Sequence, residues 1–184
     1  SAFDAISIYN RVMNSFIHTS THVELFSGTK KHRFSHPILL APVAHQTLVH
    51  ADGEIATAQA AAALNVPMIV STLASKRIED IAEHAGPRWF QLYWQPYRDA
   101  NLKLINRAID SGYSAIVITL DAPVNGLRNR PQRAGFLLPN DININLHDLP
   151  HAATKTLNPS DSIILNGFMS DAPNQDDLVW LRQQ

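Results

Sequence analysis

The feature that most constrains the fold is a series of short apolar segments that alternate with amphipathic stretches. Three of the segments cover 37–42, 67–72 and 88–93, and a fourth begins at Ser114 and runs through Ile116, Val117 and Ile118. Short apolar runs bounded by Gly, Pro or Asn predict strands that are buried on both faces. Strands that alternate with helices predict a parallel sheet with right-handed crossovers. The predicted fold class is therefore α/β, built from parallel β/α units.

Helical periodicity and end signals place the remaining elements. Asp52 is the expected cap of the first helix, and Gly112 is the expected stop of the third. Residues 140–176 are rich in Asn, Asp, Ser and Pro without a period and predict a long polar excursion. Near the amino terminus, 23–26 predict a short strand and 30–33 a solvated turn. The helices are expected over 55–64, 76–84, 99–111 and 176–184.

The elements form one partial domain over 1–184. It divides into an amino-terminal segment (1–36), four β/α units up to the loop after the fourth strand (37–139), and the polar excursion with the start of the last helix (140–184). Four such units make either an open sheet or half of the eight-stranded TIM barrel. A half-barrel leaves strand edges unpaired and its inner face open, so it needs a partner. That partner is expected to be a missing carboxyl-terminal half or a second copy, which makes a homo-oligomer the expected state.

Composition excludes several classes of function. The net charge is −1 and only 17% of residues are charged, so no nucleic-acid partner is expected. The chain has no cysteine, which removes disulfides, thiol nucleophiles and thiolate metal sites and fits a reducing, cytoplasmic location. Peripheral attachment to an inner membrane stays open. No glycine-rich dinucleotide motif, phosphate-binding loop or serine nucleophile elbow is present, and no metal site is predicted.

Polar side chains gather where the predicted strands end. Ser71 and Thr72 end the second strand, Gln91 and Tyr93 the third, and Thr119 the fourth. Because the carboxyl ends of parallel strands meet at one mouth, these groups are expected to converge there. Hydroxyls, an amide and a phenol suit a flat polar heteroaromatic ligand, although ordinary strand-end hydroxyls explain them equally well.

Three charged or titratable side chains lie near the same mouth. Arg128, in the loop after the fourth strand, suits a carboxylate or a phosphate. His45 and His50 flank the end of the first strand, and either could titrate near neutral pH. For both, a loop histidine bonded to backbone or solvent is the expectation.

At these same residues the chain resembles the FMN-dependent 2-hydroxy-acid oxidase and dehydrogenase family, which includes glycolate oxidase, lactate oxidase, L-lactate dehydrogenase and mandelate dehydrogenase. Several separated blocks carry the resemblance in the right order, and the register is strongest from 37 to 139. The blocks are Pro-Ile-Leu-Leu-Ala-Pro-Val-Ala at 37–44, His-Ala-Asp-Gly-Glu at 50–54, Val-Ser-Thr at 70–72, Trp-Phe-Gln-Leu-Tyr at 89–93, Thr-Leu-Asp-Ala-Pro-Val at 119–124 and Arg-Ala-Gly-Phe at 133–136.

The resemblance implies a flavoprotein oxidoreductase that uses FMN and acts on a small L-2-hydroxy acid such as lactate or glycolate. It implies that the backbone of Val43 and Ala44 meets the flavin ring. It further implies that Tyr93 faces the substrate and that Arg128 holds the substrate carboxylate. Leu73 stands where some members carry an aromatic residue over the substrate side chain. The isoalloxazine edge is implied to be hydrogen-bonded by Ser71, Gln91 and Thr119.

The resemblance covers only the amino-terminal half of the family barrel. The family's base histidine, its second arginine and its lysine near the flavin belong to the other half, after residue 184. The chain is therefore expected to be a fragment that is inactive by itself. A non-catalytic half-barrel that self-associates is the alternative. A phosphate-binding barrel similar to type 2 isopentenyl-diphosphate isomerase uses similar strand ends, but Arg128 and the Gln91 to Tyr93 block fit a small carboxylate better.

Overall fold

The structure is a computed structural model that describes residues 23–27, 30–34, 38–119, 133–139, 141–150 and 173–183. Within these residues, none of the helices has the length and apolar character needed to cross a bilayer. In chain order the elements are β1 (Val23–Ser27), β2 (Lys30–Phe34), a 3-10 helix (Gln46–Leu48), α1 (Gly53–Ala63), β3 (Met68–Ser71), α2 (Ile78–His84), β4 (Arg88–Leu92), α3 (Arg98–Asp110), β5 (Ile116–Ile118), a second 3-10 helix (Ile144–Leu146) and α4 (Gln175–Arg182).

A parallel sheet in the order β3-β4-β5 forms the centre of the fold. The first predicted strand joins it only through a parallel bridge between Leu40 and Met68. The Leu40 N–H donates to the Pro67 carbonyl at 2.9 Å, and the Ile69 N–H donates to the Leu40 carbonyl at 3.0 Å. Pro42 has no N–H with which to extend this ladder. The prediction of parallel β/α units is confirmed, whereas the prediction of a full strand over 37–42 is wrong.

The two faces of the sheet carry two apolar clusters. On the helix side, Val70, Phe90 and Leu92 are fully buried against α1, α2 and α3. On the other side, Phe34 of β2 packs edge-on against Trp89, with ring centroids 6.0 Å apart. Burying such side chains removes apolar surface from water, which is the main stabilising term in folding. The helix-side residues of β5 are only half-buried, so the prediction that its run is buried on both faces is wrong. The physical reason is that β5 is the edge of the described sheet.

The amino-terminal elements pair as an antiparallel hairpin. β1 and β2 run in register from Val23 opposite Phe34 to Ser27 opposite Lys30. The predicted strand over 23–26 is confirmed, but the predicted turn over 30–33 is wrong. β2 is a strand because it pairs with β1, and this pairing cannot be predicted from the charge-rich sequence of 30–33 alone.

The predicted side-chain cap at the start of α1 is wrong. Asp52 makes no side-chain capping bond at the start of α1, because its backbone is helical (φ −80°, ψ −15°) and not extended as an N-cap requires. The helices otherwise begin and end within two residues of the expected positions. Gly112 follows α3 with φ +74°, a conformation that glycine adopts without a steric penalty. α4 begins with a capping box in which Asn174 and Asp177 bond each other's backbone N–H.

Residues 141–150 pack against the helices, which corrects the expectation of a polar excursion for this part of 140–176. Ile142, Leu146 and Leu149 are buried, and Asn145 is fully buried. Asn145 accepts hydrogen bonds from the Ile78 N–H and from Arg107, and donates to the carbonyls of Ala74 and Lys76. A satisfied buried amide of this kind fixes a segment as firmly as an apolar contact. Residues 151–172 lie outside the described residues.

Candidate functional site

Three strand-end side chains form one hydrogen-bonded chain across the sheet. The Ser71 hydroxyl donates to Oε1 of Gln91 at 3.3 Å, and Nε2 of Gln91 donates to the Thr119 hydroxyl oxygen at 3.0 Å. Ser71 and Gln91 are paired in register and both are buried. The expectation that these groups converge at the carboxyl ends of the strands is confirmed by this geometry.

Thr72, which the sequence placed at this strand end without a binding role, stabilises this arrangement. Its hydroxyl donates to the Gln91 carbonyl at 2.6 Å and accepts from the Tyr93 N–H at 2.9 Å. Its own N–H lies 3.0 Å from the Gln91 carbonyl and 3.4 Å from Oε1 of the same residue. The ladder between β3 and β4 ends here, so the Thr72 hydroxyl takes the place of a backbone acceptor for the Tyr93 N–H. The Thr72 N–H also lies against Oε1 of Gln91 and so helps to orient that side chain.

The loop after Leu40 brings Val43 and Ala44 to the same end of the sheet. Val43 is exposed and Ala44 is half-buried. The next residue, His45, donates its backbone N–H to the Leu73 carbonyl at 3.1 Å, which fixes the loop to the end of β3. Leu73 itself is 1% exposed and lies in the helix-side cluster. Its side chain therefore borders no open space in the described part of the chain.

The buried carboxylate of Glu54 holds the loop after Leu40 through hydrogen bonds to Gln46 and Ser75. Glu54 is fully buried, and its oxygens accept from the Gln46 N–H, the Ser75 N–H and the Ser75 hydroxyl at 2.8 to 3.1 Å. Three hydrogen bonds to one carboxylate offset much of the cost of removing its charge from water. Sequence reasoning missed the role of Glu54, because glutamate is almost never fully buried unless it is paired.

The other residues that the sequence placed near the mouth are Tyr93, Arg128, His50 and His45, and those of them that the structure describes do not join the hydrogen-bonded chain of strand-end side chains. Tyr93 follows β4 directly, is half-buried and packs against the helix-side cluster. Arg128 lies outside the described residues, so its predicted role stays a prediction. His50 is exposed and its Nδ1 accepts from the Asp52 N–H at 3.2 Å. His45 instead is buried and donates from Nε2 to Oδ1 of Asn143 at 2.7 Å, so its expected backbone or solvent partner is wrong.

Strong electrostatic effects lie away from the strand ends. Two hydrogen bonds from Arg107 lower the pKa of Glu79 to about 2. Burial raises the pKa of the Tyr113 hydroxyl, which donates to the Ile78 carbonyl at 2.8 Å. A hydrogen bond from Arg98 lowers the pKa of Asp177. None of these three shifted groups belongs to the strand ends, where Ser71, Gln91 and Thr119 offer neutral hydrogen-bonding groups.

Comparison with known proteins identifies the family. A family model described as FMN-dependent dehydrogenase matches residues 1–184. The chain belongs to the FMN-dependent dehydrogenase family. It is 48% identical over 147 residues to an L-lactate oxidase of Roseobacter sp. (strain GAI101), covering 79% of this chain and 40% of that protein. It is 39% identical to a 4-hydroxymandelate oxidase of Amycolatopsis orientalis (76% and 38% covered) and 32% identical to 2-hydroxyacid oxidase 1 of Mus musculus (99% and 50% covered).

A solved structure of mandelate oxidase with (S)-2-phenylpropionate is similar as well. It superposes with a TM-score of 0.63 at 41% identity, over 71% of this chain and 38% of that one. The fold is thus a partial α/β barrel. The chain spans about 40% of the length of the first curated relatives it matches.

The strand-end groups fit the polar edge of the FMN ring that the family uses. Among the described residues, the Ala44 N–H makes no hydrogen bond, and Gln91 Nε2 uses one of its two hydrogens on Thr119. The Thr119 hydroxyl accepts that bond and keeps its own hydrogen for an acceptor. Donors from three neighbouring segments suit a ring edge that presents carbonyl oxygens and ring nitrogens.

Proposed function

We propose that this chain supplies the flavin-edge half of an FMN-dependent oxidoreductase that converts a small L-2-hydroxy acid, such as lactate or glycolate, to the 2-oxo acid. The observation that carries the proposal is the hydrogen-bonded chain from Ser71 through Gln91 to Thr119. Family membership supplies the cofactor class, and relatives described as L-lactate oxidases support the substrate class.

The chemistry requires groups on both sides of the substrate. Bound FMN would supply a two-electron oxidation: it would take up the Cα hydrogen of the hydroxy acid with its electron pair and be reoxidised by an external electron acceptor. The hydroxyl proton would have to be taken by a base, which leaves the 2-oxo acid. We assign Ser71, Gln91 and Thr119, with the Val43–Ala44 backbone, to holding the ring. We assign Tyr93 to the substrate side and Arg128 to the substrate carboxylate.

The described residues provide part of this site only. Ser71, Gln91 and Thr119 bind and orient, and their amide and hydroxyl groups are not bases for the hydroxyl proton. We propose that the base and the remaining carboxylate ligand come from further family sequence or from a second copy, and that the 184 residues alone do not turn over substrate.

A second candidate function is a non-catalytic half-barrel that self-associates. The observation in its favour is that β5 is the edge of the described sheet and is only half-buried, while the other side of β3 carries only the bridge at Leu40. Unpaired edges favour pairing with another chain. Light scattering at low micromolar concentration tests it: a dimer or larger species is expected, and a compact monomer contradicts it.

A pair of glutamine variants tests the flavin site. Gln91→Ala removes the centre of the hydrogen-bonded chain, whereas Gln59→Ala removes an exposed glutamine of α1. Loss of two or more hydrogen bonds of about 1 kcal/mol each is expected to weaken FMN binding about tenfold or more in Gln91→Ala, as measured by quenching of flavin fluorescence. Gln59→Ala is expected to bind like the wild type. Equal FMN affinity of all three chains contradicts the proposed site.

We also propose that the protein is located in the cytoplasm. Fractionation of the source cells is expected to recover the protein in the cytosolic fraction, and recovery with the membranes contradicts that location.

A further inference from the structure

The loop that carries Val43 and Ala44 turns on a residue with an uncommon backbone conformation. His45 adopts φ +56° and ψ +41°, the left-handed region that non-glycine residues seldom occupy. Such a conformation persists only where the surroundings hold it. The backbone of His45 is held at both ends: its N–H donates to the Leu73 carbonyl, and its carbonyl accepts from the Leu48 N–H at 3.0 Å.

The side chain of His45 is held by a residue 98 positions away. Its Nε2 donates to Oδ1 of Asn143 at 2.7 Å, and the imidazole is 6% exposed. Asn143 directly precedes the second 3-10 helix, whose Asn145 is fully buried between α2 and α3. The segment 141–150 is thus a fixed support, and Asn143 is its contact with the loop at the mouth.

The Val43–Ala44 peptide is oriented by Gln46, the residue that directly follows His45. The Gln46 side chain donates from Nε2 to the Val43 carbonyl at 3.4 Å, and its Oε1 accepts from the Thr57 hydroxyl at 2.6 Å. The peptide bonds of the described residues are trans, so the Ala44 N–H points away from the Val43 carbonyl. The carbonyl is directed to Gln46, which leaves the Ala44 N–H as a donor on the opposite side.

We propose that Asn143, acting through His45, is a positioning residue that fixes the Val43–Ala44 peptide so that the Ala44 N–H is presented to the flavin. This rests on the proposed function, because it assigns a ligand to that N–H. It adds that the segment 141–150, which follows β5 in the chain, controls the geometry of the flavin edge.

Three asparagine variants test the proposal. Asn143→Ala removes the acceptor of the His45 bond, Asn143→Asp keeps an oxygen at that position, and Asn106→Ala changes an exposed asparagine of α3 as a matched control. Hydrogen exchange by mass spectrometry, without FMN, reports the loop over 38–50. Flavin fluorescence quenching and the shape of the visible flavin absorption band then report binding.

In Asn143→Ala, the amides of the loop over 38–50 are expected to exchange faster than in the wild type. FMN is expected to bind about tenfold more weakly, and the shape of its visible absorption band is expected to change. Asn143→Asp is expected to restore both, and Asn106→Ala to match the wild type. Unchanged exchange and affinity in Asn143→Ala overturn the proposal while the proposed function stands. If the wild-type chain itself binds no FMN, the proposed function fails and the positioning role fails with it.

Discussion

Replacing the fully buried Asn145 with alanine tests how segment 141–150 is fixed. The side chain makes four hydrogen bonds of 2.9 to 3.1 Å: two accepted from Ile78 N–H and Arg107, and two donated to Ala74 and Lys76. Each is worth about 1 kcal/mol net, and buried partners left without a bond cost at least as much. Arg107 retains Glu79 and the Asn145 carbonyl as partners. We therefore expect Asn145→Ala to lose about 3 kcal/mol of unfolding free energy.

Urea denaturation followed by tryptophan fluorescence measures this loss. With a denaturant dependence of about 2 kcal/mol per molar, the midpoint is expected to fall by about 1.5 M. Asn106→Ala on the exposed side of α3 is the control and is expected to keep the wild-type midpoint. A change of less than about 0.3 M in Asn145→Ala would refute the assignment of Asn145 as the anchor of this segment.

Three further changes test other parts of the account. Because the pKa of Glu79 is lowered from 4.5 to about 2, its ion pair with Arg107 stabilises the fold above pH 4.5 and is lost as the pH falls toward 2. The stability difference between wild type and Glu79→Gln is therefore expected to shrink from pH 7 to pH 2 in thermal unfolding, and a constant difference contradicts it. Gly112→Ala places a Cβ 2.9 Å from Arg88 Nη2 at φ +74° and is expected to cost about 1–2 kcal/mol in urea unfolding, more than Gly86→Ala, where the nearest atom is 3.4 Å away. In a form of the protein that carries out the proposed oxidation, Arg128→Met is expected to raise KM for the 2-hydroxy acid more than the exposed control Arg182→Met does, and unchanged kinetics would remove Arg128 from the site.

The order and type of the main elements could be predicted because they depend on local patterns. β3 and β4 are apolar runs with clear boundaries, and α3 has apolar residues at helical spacing followed by Gly112. Elements that depend on distant partners could not be predicted. β2 is strand because β1 pairs with it. Residues 141–150 are packed because the Asn145 amide meets groups of α2 and α3 that lie far away in sequence.

The candidate site divides in the same way. Ser71, Gln91 and Thr119 were brought together in prediction because parallel strands place their carboxyl ends side by side, and the structure joins them by hydrogen bonds. The contacts by which other residues orient them were missed. Thr72 and Glu54 act through backbone groups of other segments, and the bond between His45 and Asn143 spans 98 positions. Residue type alone carries no signal for such pairings.

The most direct test of the central claim is a ¹⁵N–¹H NMR titration of the labelled 184-residue chain with FMN. If the strand ends form the flavin edge, the side-chain NH₂ resonances of Gln91 and the backbone amide of Ala44 shift selectively, while the exposed Gln59 amide does not. Resonances of Gln91 and Ala44 that stay in place as FMN is added, or that move no more than those of Gln59, would contradict the account.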